Sequence, residues 1–111
     1  MTIQGRVVLI TGGARRIGKA IALTLAKRRA RIAFSYLTSA REASRTAKEI
    51  ERDGTEALAV RADVSKAADV RRLIERVRQR FGRLDVLVNS AAIFERTPYR
   101  TLSEADWDRI L

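Results

Sequence analysis

The 111-residue chain contains no cysteine and no histidine. Without cysteine there is no disulfide scaffold and no thiolate metal site, a usage that fits a reducing, cytoplasmic location. Without histidine the usual general base and the commonest metal ligand are also missing, so no metal centre is expected. Aromatic residues make up only 5% of the chain. None interleave with the basic residues as single-strand nucleic-acid binders require. No apolar run approaches the length of a membrane span. Residues 1–6, Met-Thr-Ile-Gln-Gly-Arg, lack the apolar core of a signal peptide, so no export signal is expected.

What the chain has in quantity is positive charge. Lys and Arg number 23 against 13 Asp and Glu, a formal net charge of +10. Such an excess can mark a nucleic-acid partner. Here, however, bases alternate with acids along helix-like stretches, as in Arg71-Arg72-Leu73-Ile74-Glu75-Arg76. That pattern describes solvated helix faces, and neither nucleic acid nor membrane is expected as a partner. A hydrophobic fraction of 46% is ordinary for a globular protein, and the length suits one domain over residues 1–111.

Hydrophobic periodicity divides the chain into alternating units. Arg6–Ile10 is apolar enough to be a strand buried on both faces. Ile17–Arg29 carries Ile17, Ala20, Ile21, Thr24 and Leu25 at helical spacing. Ile32-Ala33-Phe34 is a short second strand. Ser39 and Glu42 form a capping-box pattern ahead of a helix that stops near Gly54. Ala57–Val60 is a third strand ending near Asp63. Ser65 is the expected cap of the next helix, in which Val70, Leu73, Ile74, Val77 and Phe81 keep a 3.6-residue period until Gly82. Leu84–Asn89 is the fourth strand. Ser103 and Asp106 mark the start of a fourth helix, with Leu102 and Trp107 placed for a hydrophobic staple. The order βαβαβαβα predicts an α/β fold, a Rossmann-type parallel sheet with flanking helices, truncated after about four βα units.

The most informative stretch is Val7-Val8-Leu9-Ile10-Thr11-Gly12-Gly13-Ala14-Arg15-Arg16-Ile17-Gly18. A buried strand running through glycines into a helix presents free backbone N–H groups and a partial positive charge, which suits a phosphate. Three patterns compete for it. The dinucleotide pattern G-x-G-x-x-G fails at its middle position. A Walker A loop is approached by Gly13-x-x-x-x-Gly18-Lys19, but Ala20 lacks the hydroxyl that would hold Mg²⁺, and Asp85 lies at the start of its strand, not at the end. The third pattern is Thr-Gly-x-x-x-Gly-x-Gly. It is matched by Thr11, Gly12 and Gly18, with Arg16 at the middle glycine.

On that third pattern the chain resembles the short-chain dehydrogenase/reductase family, and the resemblance extends over essentially all 111 residues. Asp63-Val64 stands where the family places an acid that contacts adenine. Asn89-Ser90-Ala91-Ala92 resembles the family's Asn-Asn-Ala-Gly segment beside the cofactor, departing at Ser90 and Ala92. Arginine at position 16 is most similar to the pteridine-reductase branch, in which it helps hold the cofactor phosphates. The resemblance implies that Gly12, Arg15, Arg16, Ile17, Gly18, Tyr36, Thr38, Ser39, Asp63, Val64, Asn89 and Ala91 line the cofactor. Tyr36, Thr38 and Ser39 match the positions that bear an adenosine 2′-phosphate. No acid ends the second strand to bind ribose hydroxyls and repel that phosphate, so NADP(H) is the expected cofactor. Phe94 falls where the branch stacks an aromatic on pterin or nicotinamide. The family's proton-donating Tyr-x-x-x-Lys is expected beyond residue 111, because Tyr36 is followed at that spacing by Ala40 and Tyr99 by Ser103. The reading is therefore the cofactor-binding half of a reductase acting on a carbonyl or pterin-like substrate. The half-chain is expected to be inactive alone and the complete parent a homo-oligomer. A nucleotide-binding or assembly fragment without chemistry, or a P-loop NTPase, are the alternatives.

Overall fold

The structure is a computed structural model that describes residues 2–12 and 16–90. Seven elements follow in strict alternation: β1 (Val7–Thr11), α1 (Arg16–Lys27), β2 (Arg31–Tyr36), α2 (Ala40–Arg52), β3 (Ala57–Arg61), α3 (Ala67–Phe81) and β4 (Val86–Asn89). All strand pairs are parallel, in the order β3-β2-β1-β4. The expected fourth helix lies outside the described residues.

Strand alternation sorts the core into two layers. Val8 and Ile10 of β1, with Ile32 and Phe34 of β2, pack against Ala22 and Ala26 of α1 and Ala43 and Ile50 of α2. Val7 and Leu9 point the other way, joining Ala33, Val60 and the α3 residues Leu73, Val77 and Phe81. Two helices thus cover one face of the sheet and α3 covers the other. Each fully buried valine, leucine, isoleucine or phenylalanine among these contributes about 1.5–3 kcal/mol relative to exposure. All five residues of β1 are buried, as a strand covered on both faces requires.

Several boundaries differ from the sequence reading, each for a local reason. β2 continues past Phe34 to Tyr36 because β3 pairs with it as far as Tyr36–Arg61. α1 stops at Lys27, and Arg29 takes a left-handed φ of 67° that turns the chain toward β2. Ser39 occupies the N-cap position of α2, but with φ −104° and ψ 57° it makes no side-chain cap bond. Glu42 lies instead 3.5 Å from Arg45 in an i,i+3 pair. Ser65 does not cap α3 either. Its backbone N–H and its hydroxyl both donate to Asp63 Oδ1, at 3.0 and 2.6 Å, and Lys66 takes the N-cap position without a side-chain bond. Gly82 ends α3 as expected: its φ of 76° is left-handed, and its N–H donates to the Arg78 carbonyl at 2.8 Å.

The β1–β4 pair is fastened at its amino end by Asp85. One carboxylate oxygen accepts the Val7 N–H at 2.8 Å. The other accepts from Arg83 at 2.7 Å and lies 3.7 Å from Arg6. Arg83 and the Val7 N–H hold the Asp85 carboxyl below the usual carboxylate range.

Candidate functional site at the carboxyl ends of the strands

The chain runs outward from β1 through β2 to β3, then returns across the sheet to place β4 on the other side of β1. Connections diverge at the carboxyl ends of β1 and β4, and open α/β sheets bind ligands in the crevice at such a switch point. Thr11 and Asn89, the last residues of the two strands, are partners in register there. The Thr11 hydroxyl donates to Asn89 Oδ1 at 2.7 Å.

Gly12 follows directly with φ 70°, a left-handed conformation in which a side chain would be strained. Gly18, in the first turn of α1, is buried against it. A Cβ at Gly18 would meet the Gly12 carbonyl oxygen at 2.2 Å and Ser90 Oγ at 2.8 Å. Only glycine lets α1 sit this close to the end of β1. The Ser90 hydroxyl, itself buried, donates to the Thr11 carbonyl. Serine therefore serves at this departure from the family pattern by closing the end of β1.

Arg16 opens α1 with φ 57°. The middle glycine of the motif thus corresponds to a left-handed residue, and arginine holds the same conformation at a cost of about 1–2 kcal/mol. Its side chain is exposed, as is Ile17 at 47%. Tyr36 ends β2 half-buried, and its carbonyl accepts the Ala62 N–H at 2.9 Å. Thr38 is exposed and Ser39 half-buried in the link to α2. Asp63 lies two residues past β3, with its N–H donating to Asp69 Oδ2 at 2.8 Å. The two hydrogen bonds from Ser65 hold the Asp63 carboxyl below its ordinary value. Val64 lines a narrow apolar cleft with Leu9, Thr11, Leu73 and Leu87. The topology brings Gly12, Arg16, Ile17, Gly18, Tyr36, Asp63, Val64 and Asn89 to one edge of the sheet. Arg15, Ala91 and Phe94 lie outside the described residues.

Two side chains that a P-loop would need are committed elsewhere. Lys19 Nζ donates to Glu49 Oε1 on α2 at 3.2 Å, and Asp85 is fastened at the opposite end of the sheet. One residue escaped the sequence reading. Ser35, in β2, accepts the Gly12 N–H on its hydroxyl at 3.0 Å and is 2% exposed. A small polar side chain directly after the apolar run Ile32-Ala33-Phe34 was the available signal.

A glycine turn at the switch point of a parallel sheet defines a ligand-binding α/β fold of the doubly wound class. Residues 6–111 match the family model described as short chain dehydrogenase, and the chain belongs to that family. It is 38% identical over 109 residues to the hydroxynaphthalene reductase-like protein Arp2 of Metarhizium anisopliae, covering 98% of this chain and 41% of that protein. Among solved structures it is similar to a short chain dehydrogenase from Burkholderia cenocepacia in complex with NADP, at 40% identity and a TM-score of 0.79 over 100% of this chain and 45% of the other. It is also similar to a blue fluorescent protein from a metagenomic library in complex with NADPH, at 38% identity and a TM-score of 0.80 over 99% and 45%. The chain thus spans less than half the length of these relatives. Among the described residues, no helix is long and apolar enough to cross a membrane.

Proposed function

We propose that this chain forms the NADP(H)-binding part of a short-chain oxidoreductase. The observation that carries the reading is the close seat of Gly18 on the Gly12 carbonyl at the switch point, a cradle that any side chain would fill. The N-terminus of α1 then offers backbone N–H groups and a partial positive charge to a pyrophosphate. Arg15 and Arg16 add formal charge at the same turn. Tyr36 ends the second strand and Leu37, Thr38 and Ser39 follow it without an acid, and that donor set suits a 2′-phosphate and lacks the carboxylate that would select ribose hydroxyls. Relatives crystallised with NADP and NADPH support the same cofactor.

When bound, the cofactor would supply the hydride. The residues of this chain bind and orient it. Asp63 and Val64 are assigned to the adenine side and Asn89 to the middle of the site, where the family resemblance also assigns Ala91. Phe94 is assigned to the substrate side, for a carbonyl or pterin-like compound of the kind handled by the pteridine-reductase branch. Neither Tyr36 nor Tyr99 has a lysine four residues on, so the role assigned to these 111 residues is cofactor binding, with proton donation left to a Tyr-x-x-x-Lys segment outside them.

Leu37→Asp tests the cofactor assignment. Leu37 is 43% exposed next to Tyr36, so the substitution changes charge without disturbing the core. Titration with NADPH and NADH should show the unaltered chain preferring NADPH and the variant losing that preference by about tenfold through charge repulsion, equivalent to about 1.4 kcal/mol. An unaltered chain that binds NADH as well as NADPH refutes the assignment.

A further inference from the structure

The β1–β2 backbone ladder is paired as far as Ile10 and Phe34. Two residues later the chain leaves the sheet through Gly12 at φ 70°. A backbone N–H at such a departure loses its ladder partner and must find another. Here the partner is a side chain of the neighbouring strand, the Ser35 hydroxyl, which accepts the Gly12 N–H at 3.0 Å. Two consequences follow from that single bond. Gly12 spends its N–H on the protein, so its part in the turn is conformational, and donation to a ligand falls to the N-terminus of α1. The bond also joins the glycine turn to the residue directly before Tyr36, where the segment assigned to the 2′-phosphate begins.

We infer that Ser35 is a positioning residue, acting through Gly12, that sets the glycine turn against the second strand and so fixes the spacing between the pyrophosphate and 2′-phosphate ends of the site. The inference rests on the dinucleotide reading of the site given above. Ser35 is buried and pairs in register with Val60 of β3, so β2 is held on its far side as well and cannot shift to follow the turn. A ligand that touches only the end of β2 is indifferent to this bond. One that spans both ends depends on it.

The test compares the unaltered chain with Ser35→Ala, which removes the acceptor, and Ser35→Thr, which keeps it on a side chain suited to a strand. Amide hydrogen exchange at Gly12 is followed by NMR, and NADPH and 2′-AMP are titrated in parallel. In Ser35→Ala the Gly12 amide is expected to exchange about tenfold faster. NADPH affinity should fall roughly five- to tenfold, the worth of one net hydrogen bond. Affinity for 2′-AMP, which has no pyrophosphate, should stay within about twofold, and Ser35→Thr should restore all three values. Ser35→Cys, with its weaker acceptor, carries the same expectations where the alanine chain does not fold. Unchanged Gly12 exchange, unchanged or tighter NADPH binding, or an equal loss for both nucleotides overturns the inference. If the unaltered chain binds neither nucleotide, the cofactor reading falls. Faster exchange at Gly12 in Ser35→Ala would still support Ser35 as the residue that holds the turn.

Discussion

Replacing Gly18 with alanine is the most direct challenge to the site geometry. The added Cβ would lie 2.2 Å from the Gly12 carbonyl oxygen, 2.9 Å from the Gly12 carbonyl carbon and 2.8 Å from Ser90 Oγ. Ordinary contact begins at 3.4 Å, so the closest approach is short by more than 1 Å. Two of the three atoms are backbone, and no rotamer change relieves them. The third belongs to a hydroxyl already bound to the Thr11 carbonyl. α1 must therefore lift from the end of β1. Overpacking of this kind costs about 1–3 kcal/mol, and alanine returns about 1 kcal/mol in helix propensity. With backbone on both sides of the clash, a net loss of about 1–2 kcal/mol is expected. Gly82→Ala is the control: its φ is 76° but no atom lies within 4 Å of the added Cβ. It should cost about 1 kcal/mol from the left-handed conformation alone. Urea denaturation followed by circular dichroism reads the two stabilities. NADPH titration then separates them, because only Gly18→Ala moves the N-terminus of α1 and should lose about tenfold or more in affinity. A Gly18→Ala chain as stable as its parent, or equal effects of both variants on NADPH, refutes the reasoning.

Other expectations are more limited. Arg16→Gly should raise stability by up to about 1 kcal/mol by relieving a left-handed arginine while weakening NADPH binding; a stability loss in urea melts would contradict the strain assignment. Asp63 binds its proton less readily in the folded chain than in the unfolded one, so its support for the β3–α3 turn is complete above the ordinary aspartate pKa and fades as pH falls through the lowered value. NMR titration of the Ser65 amide should show a midpoint below that ordinary value, and a midpoint at or above it would refute the assignment.

The parts of the fold legible in sequence were those set by side-chain period and by glycine. The burial of β1 on both faces follows from Val7-Val8-Leu9-Ile10, and the seat of α1 on β1 follows from Gly12 and Gly18. The two expected serine caps fail for different local reasons. Ser65 turns back to Asp63, and Ser39 has a backbone conformation that aims no side-chain bond into the helix. The ends of β2 were misjudged because a strand extends as far as its neighbour pairs with it, which no single segment reveals. Ser35 was invisible for a related reason: its partner, Gly12, is 23 residues away in the chain and becomes adjacent only when the sheet forms.

The two ends of the β1–β4 pair are fastened by different chemistry. At the amino end the bond to Val7 depends on an ionised Asp85, flanked by Arg83 and Arg6. At the carboxyl end the bonds are made by neutral groups, the Thr11 and Ser90 hydroxyls and the Asn89 amide oxygen. Protons and salt therefore act on one end alone. Acidification through the lowered Asp85 value weakens the hold on Val7, and salt screens the flanking arginines. Neither reaches the hydroxyls around the glycine turn. The pair is a zipper with a titratable tab at its base, and the hydroxyl and amide bonds that close its other end carry no group that titrates with it.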